Sequence, residues 1–325
     1  MKYDRIEKCI KKGRRSFMEL QGVYTQLGIL FLLLILGYVL GKLQIITKEG
    51  TQVFSSFVVK VCMPALIISG MLIPATPEKL QRAFLLLGIA TLSYSLAGIV
   101  GVIMAHLLGK DKAVKGIYSY AITFSNCGFM GIPVLQAIYG TEVIFYVVVH
   151  NIIFNVLVYT LGIKLLSSHL EGRPSFKLKA LINPGTVASV LGMVLFMLNL
   201  SLPQFLSGAI DKVGGLCTPL SMMVIGALLS ELPFLEMLNN KKTYVLASVR
   251  LIILPLLTWV LIKYLLKVED PFLLYVPVII AGMPVAANAG LMAKEYGSDA
   301  TLASQLIFIS TLFSCLSIPL LTLII

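Results

Sequence analysis

Two stretches of the chain carry residues that could bind a small molecule, and both lie where a helix should run unbroken. Ser125 to Gly140 reads SNCGFMGIPVLQAIYG, and Ala281 to Gly297 reads AGMPVAANAGLMAKEYG. The first sets Asn126, Gly128, Gly131 and Pro133 within eight residues, and the second sets Gly282, Pro284 and Asn288 within seven. Proline removes one backbone donor and clashes with the carbonyl four residues back, and lipid offers the freed groups no partner. Broken backbone at membrane depth therefore lines a binding cavity. Each interrupted helix restarts with unpaired N–H groups that carry about half an elementary positive charge. Beside them, an asparagine amide can donate to a carboxylate and also satisfy broken backbone. The chemistry on offer is reversible capture of a small anion by dipoles and neutral amides.

For Asn126 the competing role is a helix-break cap with no ligand contact, and for Asn288 it is packing between helices. Asn151 and Asn155 are four apart in EVIFYVVVHNIIFNVLVYT and share a helix face, which makes them further candidates for the same cavity. His150 beside them reads as a hydrogen-bonded interior residue rather than a proton relay. Lys60 lies deep in FSSFVVKVCMPALIISGM, and Arg250 opens RLIILP. Each could balance a ligand's charge, and each could instead snorkel to a headgroup.

Other chemistries are poorly served. The three histidines, His106, His150 and His169, form no HExxH, and no G-x-S-x-G is present, so an intramembrane enzyme is not expected and no catalytic residue is assigned. The five cysteines show neither metal-ligand nor disulfide spacing, and neither a metal nor a cofactor is expected. Apart from Asp211 at a span edge, no Asp or Glu falls inside an apolar span; Glu142 and Asp299 sit at helix starts and Glu295 at a helix end. Sodium/proton exchange on buried carboxylates is therefore not expected. Coupling through carbonyls and hydroxyls, and no coupling at all, both stay open.

The elements that must position these residues are membrane spans. With 58% hydrophobic and 13% charged residues and a mean hydropathy of +0.94 over 325 residues, the chain is too apolar for a soluble core. Spans of about 20 residues are expected over 23–42, 51–73, 84–108, 113–139, 142–166, 182–200, 208–230, 243–266, 272–296 and 299–324. The fold class is thus an all-α membrane protein. The formal charge of +11 resides in short loops that set topology, and no nucleic-acid partner is expected. Links 1-2, 3-4, 5-6, 7-8 and 9-10 hold twelve Lys or Arg against four on the other side, which places the former in the cytoplasm and both termini outside.

Seven basic residues precede Met18 and contradict that orientation. We expect 1–22 to be an extension, with Met18 as the native start, because Gly-Arg-Arg just upstream is what a ribosome-binding sequence would encode if read through. Three anchors suggest duplication: Cys62 and Cys217 before prolines, Gly131 and Gly282 in Gly-x-Pro, and Tyr139-Gly140-Thr141-Glu142 against Tyr296-Gly297-Ser298-Asp299. In the last pair, the expectation is a glycine closing one helix and a hydroxyl capping the next. Five spans per half, an odd number, make the repeats inverted, over 23–166 and 182–325 with a cytoplasmic link at 167–181.

These residues resemble the auxin efflux carrier family in its short bacterial form. The likeness rests on SNCGFMGIP, GMPVAANAGLMAKEYG, RLIILP and the early proline in VCMPAL, and it covers the chain from about Met18 onward. It implies the fold of bile-acid symporters and sodium/proton antiporters, with a scaffold of spans 1, 2, 6 and 7 and a mobile core of spans 3–5 and 8–10. It implies that spans 4 and 9 cross at Pro133 and Pro284. It also implies a carrier of small organic anions such as malate, working in the cell membrane with no cofactor. A homodimer through the scaffold helices is a further expected partner. The long cytoplasmic segment of plant members is missing, which argues against auxin as the substrate. The rival functions are a sodium-coupled bile-acid-type symporter and a passive pore.

Overall fold

The computed structural model describes residues 2–170 and 182–324, with side chains over 22–170, 182–233 and 236–323. The predicted link at 167–181 lies mostly outside the described residues. The chain forms α1 (Lys2–Lys42), α2 (Lys48–Met71), α3 (Pro77–Leu108), α4 (Lys112–Thr123), α5 (Cys127–Tyr139) and α6 (Val143–Leu166). After the link come α7 (Pro184–Met197), α8 (Gln204–Ser230), α9 (Lys241–Leu265), α10 (Pro271–Ala281), α11 (Ala289–Glu295) and α12 (Ala300–Ile324). Among the described residues there is no β-strand, only one isolated bridge between Ser125 and Val285.

Seven of these helices are long and apolar enough to cross a membrane: Gly22–Lys42 of α1, then α2, α3, α6, α8, α9, and Ala300–Leu323 of α12. The spans predicted over 113–139 and 272–296 each consist of two short helices with extended residues between them, α4 with α5 and α10 with α11. The exposed faces suit lipid, since Leu32, Phe84, Leu107, Val190 and Phe205 all point outward.

Helix starts follow the local sequence. Thr76, Asp111 and Asn183 each accept the backbone N–H three residues on, at 3.2, 2.9 and 2.9 Å, and Pro77 and Pro184 take the first helical position, where a missing N–H costs nothing. Gly140 and Gly297 close their helices with φ of +76° and +69°, the left-handed conformation that glycine adopts without strain. The hydroxyls after them do not cap as expected. Asp299 itself accepts from Leu302 N–H at 3.0 Å, while Glu142 makes no side-chain cap.

Three prolines inside spans are accommodated in one way. A wide turn with i→i+5 bonding runs over Val58–Cys62, Cys127–Gly131 and Val249–Ile253, each ending two residues before Pro64, Pro133 and Pro255. The widening relieves the clash between the proline ring and the carbonyl four residues back, so the helix continues. Two further wide turns, Val158–Gly162 and Leu261–Leu265, precede no proline.

Packing relies on small residues, as expected where lipid competes with any apolar contact. Helix α1 lies against α8 so closely that a Cβ on Gly226 would meet Leu34 O at 2.0 Å, and one on Gly37 would meet Met223 O at 2.1 Å. Helix α2 packs on α7 and α8, and α3 packs on α4, α6 and α10. Helix α12 packs on α9 and α11. The crossing of the two broken helices therefore lies within the buried interior, with Phe124, Ser125, Met283, Val285 and Ala286 all buried.

Candidate functional site

The two breaks meet backbone to backbone. Asn126 N–H donates to Pro284 O at 2.8 Å, and Ala286 N–H donates to Phe124 O at 3.1 Å, forming one antiparallel bridge centred on Ser125 and Val285. This pairing answers the cost of breaking helices in apolar surroundings, because each break supplies the other's missing partners. Val285 N–H would still be orphaned, and Ser310 of α12 accepts it through Oγ at 3.0 Å. The crossing lies at Ser125, not at Pro133. That proline enters the first turn of the α-helical part of α5, beyond the wide turn that absorbs it, whereas Pro284 lies at the crossing itself. The two Gly-x-Pro motifs therefore occupy different places: Gly131 follows one break, while Gly282 leads into the other and packs against Leu321.

Each asparagine at a break uses its amide oxygen on the protein. Asn126 Oδ1 accepts from Phe129 N–H at 3.2 Å and so caps α5, the structural role weighed for it above. Its Nδ2 has no hydrogen-bond partner among the described residues. Asn288 Oδ1 accepts from Tyr120 O–H at 3.3 Å, and its Nδ2 reaches only the thioether of Met292 at 3.5 Å. Both side chains thus keep their NH2 groups nearly free, beside the positive ends of α5 and α11. Neither asparagine lines the small cavity that adjoins the crossing beside Arg250. Gly128 brings the start of α5 against α2, where an added Cβ would meet Met63 Cε at 3.2 Å.

Arg250 is buried, with 2% of its surface exposed, and it does not snorkel. The wide turn before Pro255 carries it, and it faces the crossing: Nε donates to Met283 O at 3.0 Å, and Nη1 donates to Ile122 O. A small cavity of about 20 Å³ beside it is lined by residues that include Ser93, Tyr94, Thr123, Ser125 and His150. Tyr94 Oη, Ser125 Oγ and His150 Nδ1 have no hydrogen-bond partner there. His150 is buried as expected, its ring 5.3 Å from that of Tyr94, but among the described residues its Nδ1 lacks the hydrogen bond expected of it.

The remaining predicted residues are not drawn to the crossing by any hydrogen bond. Asn151 is half-buried with an unpaired Oδ1, and Asn155 is half-exposed with no hydrogen bond among the described residues. Lys60 is exposed in the wide turn of α2 and forms no ion pair among the described residues. Sequence reasoning missed Ser310, Tyr94, Tyr120 and Ser125. The spacing of Ser310, Ser314 and Ser317 along one face of α12 is a signal that could have pointed to the first.

Long apolar helices combined with two helices broken at a buried crossing define a multi-pass membrane protein with the architecture of a transporter. A family model described as membrane transport protein matches residues 22–175 and 169–322. The chain belongs to that family, the auxin efflux carriers. It is 30% identical over 299 residues to a protein of Methanothermobacter thermautotrophicus named "Uncharacterized transporter", covering 91% of this chain and 96% of that protein. It is 24% identical to a protein of Rhizobium meliloti named "Putative malonate transporter", covering 87% of this chain and 90% of that one. PIN-LIKES 2 of Arabidopsis thaliana is 27% identical over 158 residues, 43% of this chain and 34% of the relative.

Proposed function

We propose that the protein is a carrier that moves small organic anions, dicarboxylates such as malonate among them, across the cell membrane by alternating access. The observation that carries this is the polarity of the crossing. Asn126 and Asn288 use their oxygens on the protein and leave amide donors beside two helix N-termini, and Arg250 adds a full positive charge nearby with no carboxylate bonded to it among the described residues. Such a site attracts a carboxylate and repels a cation. A transporter relative whose name mentions malonate, 24% identical, agrees with a short dicarboxylate.

Several features support the accompanying architecture of two inverted five-span repeats, 23–166 and 182–325. Both breaks present the same three-residue pairing unit, and both are followed by a glycine with positive φ that closes the second half of the span. Helices α1, α2, α7 and α8 pack on one another and would form the scaffold, while α3 to α6 and α9 to α12 would form the core that moves. Loop charge would place the link at 167–181 in the cytoplasm and both termini outside. Asn151 and Asn155 on α6 would line the path as the core moves.

A thermal-shift screen of carboxylates on the purified protein tests the ligand class, because a bound ligand stabilises the folded state by mass action. Short dicarboxylates should raise the melting temperature in a concentration-dependent way, and amines of the same size should not. A shift with amines alone would overturn the reading.

A further inference from the structure

Breaking two helices at the crossing leaves several carbonyls without their helical partners, and Ile122 O and Met283 O are two of them. In an unbroken α4–α5 helix, Ile122 O would accept from Asn126 N–H, which here donates to Pro284 O instead. Met283 O would accept from Ala287 N–H in an unbroken helix and has no such bond here. These carbonyls end α4 and α10, so they add to the negative poles of two half-helices. Unwound carbonyls and half-helix C-terminal ends inside a transporter are the ligands that typically hold a coupling sodium ion or proton. Here one guanidinium takes both, Nε on Met283 O at 3.0 Å and Nη1 on Ile122 O.

We propose that Arg250 is a resident cation that permanently fills the place of a coupling ion at the crossing, so the protein works without sodium or potassium. Three observations fit together. The side chain is 98% buried by its 2% exposure, which no snorkelling lysine or arginine would show. It bonds the carbonyl ends of both broken helices and thus ties α9 to the crossing it serves. No Asp or Glu bonds it among the described residues, so its charge is directed at the carbonyls and at whatever anion enters. The wide turn over Val249–Ile253, formed ahead of Pro255, aims the side chain inward. The cavity of about 20 Å³ beside it has room for one water, which would serve the guanidinium N–H groups that the carbonyls leave free. Arg250 is a positioning residue in this account: it holds the half-helices that present the amides. The inference builds on the anion-carrier reading, but the melting part of its test needs no substrate.

The wild-type protein, purified in detergent, is melted in sodium, potassium and choline chloride at equal ionic strength, and the same is done with Arg250→Met and Arg250→Lys. The wild type should melt at one temperature in all three salts. Arg250→Met should melt lower and recover with millimolar guanidinium, the missing group supplied free, while Arg250→Lys should fall between the two because one ammonium can serve the carbonyls without the planar fork. In proteoliposomes, dicarboxylate counterflow by the wild type should be equal in sodium and choline, and Arg250→Met should lose at least about tenfold, with partial return on adding guanidinium. If Arg250→Met does not fold, the wild-type salt comparison decides alone. A sodium-specific rise in the wild-type melting temperature, or counterflow that needs sodium, would overturn the proposal. Absence of counterflow in every salt, with the melting results as expected, would count against the anion-carrier reading and not against the resident cation.

Discussion

Replacing Asn126 by Ser separates the two roles that the structure gives this side chain. Serine is as good an N-cap as asparagine, so its oxygen should still accept from Phe129 N–H, now 3.2 Å from Asn126 Oδ1, and α5 should keep its start. What is lost is Nδ2, the amide donor with no partner among the described residues. A hydrogen bond from such a donor to a carboxylate is worth about 1.5 to 3 kcal/mol, so dicarboxylate affinity should fall roughly tenfold to a hundredfold. Asn126→Ala should lose the same affinity and in addition about 1 kcal/mol of stability, the cost of an uncapped helix start. The assay is the ligand dependence of the melting temperature, which yields Kd, together with KM for uptake into proteoliposomes. The expected pattern is a serine variant with wild-type melting temperature in the absence of ligand and a much weaker response to it. A serine variant that binds dicarboxylates as tightly as wild type would show that Asn126 is a cap alone, and the site would have to be built elsewhere.

Three further substitutions test the frame around the crossing, each read by thermal melting in detergent. Ser310→Ala removes the acceptor of Val285 N–H at 3.0 Å and should cost about 1 to 3 kcal/mol, the penalty for a buried donor left unpaired; no change would mean the bridge does not need α12. Gly226→Val places a side chain where a Cβ meets Leu34 O at 2.0 Å, so α1 and α8 must separate, and overpacking of this kind costs about 1 to 3 kcal/mol. Asp270 caps α10 at Phe272 and Leu273 and also pairs with Arg82 at 2.9 Å in a partly exposed site. Asp270→Asn keeps the cap and should change stability by under about 1 kcal/mol, whereas Asp270→Ala should lose about 1 kcal/mol or more. Equal losses in the two variants would make the ion pair, not the cap, the important contact.

Much of the site could be read from residue types, and its exact geometry could not. That two spans must be broken follows from Asn126, Gly128 and Pro133, and from Gly282, Pro284 and Asn288, because apolar helices have no other use for such residues together. Pro284 lies at its break as expected, but the break of the first span does not fall at its proline. Pro133 looked like the break, but a single wide turn accommodates it, and the extended residues are the unremarkable Phe124 and Ser125. Their conformation is fixed by pairing with Pro284 and Ala286, about 160 positions away, which no local pattern records. For Arg250 the sequence leaves charge balance and snorkelling both open, and the wide turn ahead of Pro255, which turns the side chain to the interior, removes the second. The helix starts at Thr76, Asp111 and Asn183 obey a local rule, since capping depends only on neighbours within three residues.

The most direct test of the central claim is counterflow of labelled malonate in proteoliposomes preloaded with unlabelled malonate. Label should accumulate transiently, saturate with external concentration and vanish when the lumen is empty of dicarboxylate. Flux that rises linearly without saturation and ignores the internal pool would describe a pore, and would contradict a carrier working through the crossing at Ser125 and Val285.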